Sequence, residues 1–176
     1  MNLFHDLKLW NEDLTEVNAI VEIPKGSMVK YEFDKELWCI MVDRIGRTPM
    51  EYPCNYGLLP QTWNKEDNDP LDIFILSRFD FAPWVVVPCR VVWGLKMVDW
   101  GEFDYKVVAV ADDKAYDNVN DIDDLSEAEK EDIYYYMNRY KDLHGKTVEL
   151  QGWDNKEEAI KIIKDCQDYY PVKFKK

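Results

Sequence analysis

The sequence predicts a mainly β chain of the α+β class, a small antiparallel barrel or sandwich followed by two helices. Three observations carry this expectation. Short runs of β-favouring residues, separated by turn signals, fill the first two thirds of the chain. Helical periodicity with capping signals is confined to the last third. Finally, 176 residues that are 47% hydrophobic and 14% aromatic are enough to bury one core, which corresponds to a single domain.

In chain order, the β-type runs are AIVEI (19–23), MVKYEF (28–33), WCIMVD (38–43), LDIFIL (71–76), VVVPCRVVW (85–93) and YKVVAV (105–110). PKGS, RIGRTP and DNDP punctuate them with turn-forming residues. The two-residue period of a strand puts Lys30 and Glu32 on one face and Val29, Tyr31 and Phe33 on the other. Asp104 and Lys106 share a face for the same reason. The first helix is expected in SEAEKEDIYYYMNRYKDL, where Ser126 and Glu129 stand at capping-box spacing and Ile133, Tyr136, Met137 and Tyr140 recur at helical intervals. Tyr140 therefore faces inward. A second helix over 156–168 follows Asn155 and Glu158 at the same box spacing and buries Ala159, Ile162, Ile163 and Cys166. The acidic stretch DDKAYDNVNDIDD (112–124) reads as a solvated loop leading into the first helix.

Charge excludes several functions. With 35 acidic and 22 basic residues the formal charge is -13, which opposes nonspecific contact with nucleic acid or an anionic membrane. The N-terminal stretch MNLFHDLKLWNEDL carries charges throughout and lacks the apolar core of a signal peptide. The longest nearly apolar run, FAPWVVVPC (81–89), falls far short of a membrane span. A soluble, cytoplasmic protein is expected. Cys39, Cys54, Cys89 and Cys166 are scattered without a CxxC pair, and His5 and His144 are the only histidines, so zinc is not supported. The thiols are expected to be reduced and mostly packed.

The densest chemical signal is EDNDPLD (66–72), where Asp67, Asp69 and Asp72 crowd around Pro70. Carboxylates about 4 Å apart repel by roughly 4 kcal/mol near a protein surface, so such crowding calls for cations unless the loop is fully solvated. An EF-hand does not fit, because its fifth, sixth and twelfth positions would be Leu71, Asp72 and Arg78. Pro70 fits a turn into the strand LDIFIL, which leaves Asp72 at the start of a rigid element and Asp67 and Asp69 in the loop before it. In KMVDWGEFDYK, Asp99 and Asp104 flank a Trp-Gly turn between two strands. Two such turns could form opposite walls of one pocket, and their all-oxygen donor set suits Mg²⁺ or Mn²⁺. VDRIGRTPMEYPCNYG supplies Arg44, Arg47, Tyr52 and Tyr56, and NRYKDL supplies Tyr140 and Lys141. Ammonium, guanidinium and phenol donors beside metals would suit a phosphate-rich ligand. No Walker loop or GxGxxG is present to form a glycine cradle.

Taken together, DNDPLD, EIPKGSMVKYE, VDR, YPCNYG, DWGEFDYK and YKDL resemble, in order and nearly in spacing, the soluble type I, magnesium-dependent inorganic pyrophosphatases over residues 19–153. The resemblance implies a five-stranded OB-like antiparallel barrel with two C-terminal helices packed against it. It implies metal ligands at Asp67, Asp72, Asp99 and Asp104, with Glu32 beside them, and a water-deprotonating carboxylate at Asp69. Glu22 and Lys106 fall on further active-site positions, and Tyr52 is placed close to the side of Asp69. Lys30, Arg44, Tyr56, Tyr140 and Lys141 match groups that hold the phosphates. Several Mg²⁺ ions per site, pyrophosphate as substrate, and a homo-oligomer, with a hexamer favoured over a dimer by the short prokaryotic-type length, complete what it implies. Two other readings of the residues stay open at this point. An OB-type binding module would use exposed aromatics, and a divalent-cation buffer would need the aspartates but gives no role to Lys30, Arg44 or Tyr140.

Overall fold

The computed structural model describes residues 2–174. Its elements are α1 (Leu3–Asp6), β1 (Glu16–Ile23), β2 (Val29–Asp34), β3 (Cys39–Ile45), β4 (Asn55–Leu58), β5 (Asp72–Leu76), β6 (Val86–Asp99), β7 (Glu102–Ala111), α2 (Glu127–Arg139), β8 (Val148–Asp154) and α3 (Lys156–Phe174). Strands β1, β4, β5, β7 and β6 pair in that order, and β1 also pairs with β6, which closes a ring of five. Closure depends on β1 serving two neighbours, since Ile20 is in register with Leu58 of β4 and with Val86 of β6. Strand β8 extends the sheet beyond β6, and β2 and β3 form a separate hairpin.

This is the expected OB-like barrel, with one difference from an all-antiparallel ring. Strands β5 and β7 run parallel, Asp72 opposite Lys106 through Leu76 opposite Val110. A β5–β7 hairpin is impossible because β6 lies between them in the chain, and β6 itself forms the two-residue hairpin with β7. The pairing follows ring closure, to which a local sequence pattern is blind.

Both faces of the ring strands are apolar, because each face has a partner. One face carries Val17, Ala19, Val21, Ile73, Ile75, Val107 and Ala109 and packs with Ala159, Ile163 and Cys166 of α3. The other carries Phe74, Leu76, Val108 and Val110 and packs with Ile133, Tyr136 and Met137 of α2. Both helices begin as their sequences dictate. Ser126 and Glu129 form the reciprocal capping box of α2, and the Asn155 side chain accepts the N–H of Glu158 at the start of α3. Ile162 is partly buried, and α3 continues past 168 to Phe174, taking Pro171 inside it.

Two further expectations need correction. Helix is not confined to the last third, since Asn2 caps the short α1 by accepting from the N–H groups of Phe4 and His5. Strands β4 and β8 lie outside the six predicted runs. The segment 112–124 leads into α2 with most of its residues exposed, as expected of a solvated loop, but it is well tied down. It contains two 3₁₀ turns, Asp113 accepts from the Arg78 backbone N–H (3.0 Å) and Nε (2.9 Å), and Arg90 donates to the carbonyls of Tyr116 and Val119. The thiols are mostly packed, as expected: three are buried, Cys39 is exposed on β3, and among the described residues all four are free.

Gly57 answers a tight backbone demand within the ring. It faces Val21 where β1 meets β4, and a Cβ built there would stand 2.0 Å from the Ile20 carbonyl oxygen. Backbone cannot yield as a flexible side chain does, so Gly57→Ala should lower the unfolding free energy by about 3 kcal/mol. Gly101 adopts φ +92° in the β6–β7 turn with open space around it, so Gly101→Ala should cost only about 1 to 2 kcal/mol, from its backbone conformation. Urea titrations of both variants check the ranking, and equal midpoints would refute it.

Candidate active site

The site lies where β5 and β7 begin and β6 ends, beside the β2–β3 hairpin and the C-terminal end of α2. Parallel pairing sets Asp72 directly against Lys106, and the strand period puts Asp104 on the same face. The Lys106 ammonium therefore bridges two carboxylates, contacting Asp72 and Asp104 (2.5 Å to the latter) while almost fully buried. Burial pulls the pKa of Lys106 down, but the two carboxylates outweigh it and hold the pKa well above the ordinary lysine range. Asp99 ends β6 ahead of the tight turn, in which Trp100 and Gly101 both take positive φ (+50° and +92°). Asp99 pairs with Lys141, just beyond the α2 cap residue Tyr140.

Two β-bulges aim charged residues at this region, as bulges beside functional sites do. Pairing of β1 with β4 shifts register between Val21 and Ile23, leaving Glu22 as the extra residue. Glu22 is buried, and its carboxylate accepts the Phe33 backbone N–H at 2.7 Å. In the hairpin, register shifts after Lys30, whose partner is Arg44, so that Asp43 bulges between Arg44 and Val42. The two cations are tolerated opposite each other because Asp43 lies 3.1 Å from Lys30 and 2.8 Å from Arg44. Lys30 also pairs with Glu32 at 2.6 Å, as their shared face requires.

Nine of the fourteen predicted residues line two neighbouring clefts, with Lys30 in both, whereas Asp67, Asp99, Asp104, Lys106 and Lys141 line neither. Glu22, Glu32, Tyr56, Asp69 and Asp72 line the first. Arg44, Tyr52, Tyr136 and Tyr140 line the second. Tyr52 is thus placed with the arginine rather than on Asp69's side, its ring 4.7 Å from that of Tyr136 and 5.8 Å from that of Tyr56. Tyr140 stacks on Tyr136 (5.5 Å, 25°) and is only partly buried, so the inward-facing residue of the helical stripe also reaches the cleft. Tyr56 is buried beneath Lys106, whose ammonium lies 5.6 Å from its ring centre. Asp67 and Asp69 occupy the loop before β5, tied down by a bridge between Asn64 and Asp69 and by the Asp69 N–H donating to Asp67 Oδ1 (3.2 Å).

Electrostatics show how much negative charge is gathered. Burial, and then the Asp72 charge, push Glu22 up to about 8. Burial followed by Asp104 and Asp72 raises Asp67 to about 8, and burial followed by Asp72 raises Asp69 to about 6. Every one of these shifts is of the kind a divalent cation would reverse. Among the described residues, no three potential ligands converge on one point. Instead, Lys30, Lys35, Lys106 and Lys141 each pair with a carboxylate of the site. Among the carboxylates of the site, the buried Asp99 Oδ1 is an acceptor with no hydrogen-bond partner among the described residues.

A sequence profile described as inorganic pyrophosphatase matches residues 19–171. The chain belongs to the inorganic pyrophosphatase family. An inorganic pyrophosphatase of Rickettsia bellii is 42% identical over 155 residues, covering 85% of this chain and 88% of the relative. That of Haloferax volcanii is 36% identical over 176 residues, with 99% of each chain covered. The crystal structure of inorganic pyrophosphatase from Thermus thermophilus superposes with a TM-score of 0.91 at 36% identity, over 97% of this chain and 99% of the other. Three residues of this family member that surround the site were missed by sequence reasoning. Lys35 pairs with Asp69, Asp43 pairs with both Lys30 and Arg44, and Tyr136 carries Tyr140 and Tyr52. Asp43 stood in the VDR motif, and Tyr136 stood on the buried helical stripe. Lys35 carried no signal, because its partner lies across the fold.

A pH dependence follows for the metal-free protein. The folded Glu22 carboxyl keeps its proton up to about pH 8, whereas in the unfolded chain it ionises near the ordinary glutamate value. Between those values the folded state binds more protons, so stability falls as pH rises, by up to about 1.4 kcal/mol per pH unit from Glu22. Asp67 and Asp69 act in the same direction, although the Asp69 side chain is 43% exposed and solvent weakens its share. In EDTA, the melting temperature should be lower at pH 8 than at pH 5.5, with a shallower slope in Glu22→Gln. A slope unchanged by that substitution would remove Glu22 as its source.

Proposed function

We propose that this chain hydrolyses inorganic pyrophosphate to two orthophosphates without a covalent intermediate, using divalent metal ions held by Asp67, Asp72, Asp99, Asp104 and Glu32. The observation that carries this reading is the juxtaposition of a carboxylate-rich cleft with a cleft of cationic and phenolic donors, joined through Lys30. The donors available to a metal are all hard oxygens, which fit Mg²⁺, with Mn²⁺ as a substitute. The unpartnered Asp99 Oδ1 and the raised Asp67 and Asp69 also fit a cation. When bound, such ions neutralise the polyanionic substrate and acidify water at the site.

The chain's own residues supply the remaining steps. Asp69, beside the proposed metal ligands, takes the proton from the attacking water. Lys30, Arg44, Tyr56, Tyr140 and Lys141 donate to phosphate oxygens and stabilise the charge that develops on the departing phosphate. Burial holds the Tyr56 and Tyr140 phenols above their ordinary range, which keeps them protonated as donors. Lys106 holds Asp72 and Asp104 together, Glu22 lies beneath the carboxylate cleft, and Tyr52 supports the donor wall. These three complete the catalytic set.

The β2–β3 hairpin turns an apolar surface outward, with Leu37 (65%), Val42 (56%) and Ile45 (68%) exposed. Such a patch supports assembly into a homo-oligomer, with a hexamer favoured. No helix among the described residues is long and apolar enough to cross a membrane, and a cytoplasmic location is proposed. The decisive experiment is orthophosphate release from pyrophosphate with Mg²⁺, with EDTA, and with ATP as comparison substrate. Mg²⁺-dependent release selective for pyrophosphate is expected. Release no greater than that of a folded Asp69→Asn control would overturn the reading in favour of a binding module.

A further inference from the structure

The β2–β3 turn sends a cation to the proposed base from outside the set of residues considered so far. Lys35 directly follows β2, and its ammonium pairs with Asp69 Oδ1. The turn is stiff, because Asp34 Oδ1 accepts the N–H groups of Glu36 (2.9 Å) and Leu37 (2.6 Å) and the Asp34 carbonyl accepts that of Trp38 (2.8 Å). The same ammonium lies 5.4 Å from the ring centre of Trp63, within cation–π range.

Trp63 is a fixed platform. It is 4% exposed, its backbone N–H donates to the Cys166 carbonyl of α3 (3.0 Å), and the Phe174 ring meets it edge-on at 5.0 Å. The next residue, Asn64, donates its N–H to the Asp69 carbonyl (2.8 Å). The backbone of Asp69 is therefore anchored from the Trp63–Asn64 segment, and its carboxylate from Lys35, which rests on the same tryptophan. Lys106 and Lys141, by contrast, pair with aspartates proposed as metal ligands.

From this geometry we infer that Lys35 is a positioning residue for hydrolysis. It engages Oδ1 of Asp69, leaves Oδ2 to face the attacking water, and prevents the carboxylate from turning into the metal-ligand set. The inference rests on Asp69 being the base. Lys35 has no place in the chemistry itself, so removing its charge should affect turnover and metal binding in opposite directions. Loss of orientation slows proton removal, while loss of a neighbouring positive charge and release of an extra carboxylate favour a cation.

The test uses Lys35→Met, which keeps the chain length without the charge, and Lys35→Arg, which keeps the charge. The Lys35 side chain is 34% exposed, so both variants should fold, and circular dichroism would check this. In Lys35→Met, kcat should fall by about tenfold or more, with KM for pyrophosphate within about threefold of the parent. Its affinity for Mn²⁺, titrated without substrate by electron paramagnetic resonance, should rise by about two- to fivefold. Lys35→Arg should restore kcat to within about threefold of the parent. A kcat within about twofold of the parent in Lys35→Met would overturn the inference. So would a rise in KM without a fall in kcat, which would make Lys35 a phosphate-binding group, or failure of Lys35→Arg to restore turnover. Unchanged or weaker Mn²⁺ binding overturns it as well, and that measurement needs no turnover. Absence of Mg²⁺-dependent hydrolysis in the parent would instead sink the pyrophosphatase reading, leaving the Mn²⁺ comparison to judge Lys35.

Discussion

Asp69→Asn is expected to lower kcat on pyrophosphate by about 10²- to 10⁴-fold, the range associated with loss of a general base. Its affinity for Mg²⁺ should change much less. The asparagine keeps the shape of the side chain, so the anchoring of the loop by Asn64 and Asp67 survives, since both contacts use the backbone of residue 69. What disappears is the oxygen able to accept a proton and the charge paired with Lys35. Parallel measurement of kcat and of Mg²⁺ binding by calorimetry separates the alternatives. Equal losses in both would make Asp69 chiefly a ligand.

Arg44→Ala should reduce kcat by about 10²- to 10³-fold, comparable with removing one donor from a preorganised anion-stabilising site. Metal binding should be largely kept, because Arg44 lines the cleft opposite the carboxylates. Asp43 would not be left unpaired, since Lys30 lies 3.1 Å from it, so the hairpin should remain folded. Arg44→Lys should recover only part of the loss, because a single ammonium cannot reproduce the guanidinium fork. Turnover unchanged in Arg44→Ala would take this residue out of the mechanism.

How much could be read from the sequence depended on whether the deciding force is local. Both α2 and α3 were visible because caps and buried stripes repeat over helical turns, as Ser126, Glu129, Ile133 and Tyr136 illustrate. The end of α3 was not, because the aromatic packing of Tyr170 and Phe174 against Phe4 and His5 carries it past Pro171, and the sequence does not display that contact. Strand β4 has only four residues and contains a glycine, so its membership rests on its neighbours β1 and β5. Strand β8 did carry a signal, the alternation of Val148, Glu149, Leu150 and Gln151, but it ran into Gly152. Within the site, Lys30 with Glu32 and Asp104 with Lys106 followed from strand parity alone. The Asp72–Lys106 contact required the parallel β5–β7 pairing, and the Glu22 and Asp43 placements required bulges, which no periodicity reveals.

The double engagement of Ile20 also bears on how the chain is made. During synthesis β1 emerges first, with Val17 to Ile23 all destined for burial, yet neither of its neighbours exists until β4 and then β6 have followed. For that interval it is an apolar strand with two open edges, the kind of segment that pairs with other chains. Refolding from denaturant meets the same delay, because ring closure must wait for contacts distant in sequence. Recovery of soluble protein should therefore fall as chain concentration rises, and competing association of nascent or denatured chains through β1 becomes the main hazard on the way to an active ring.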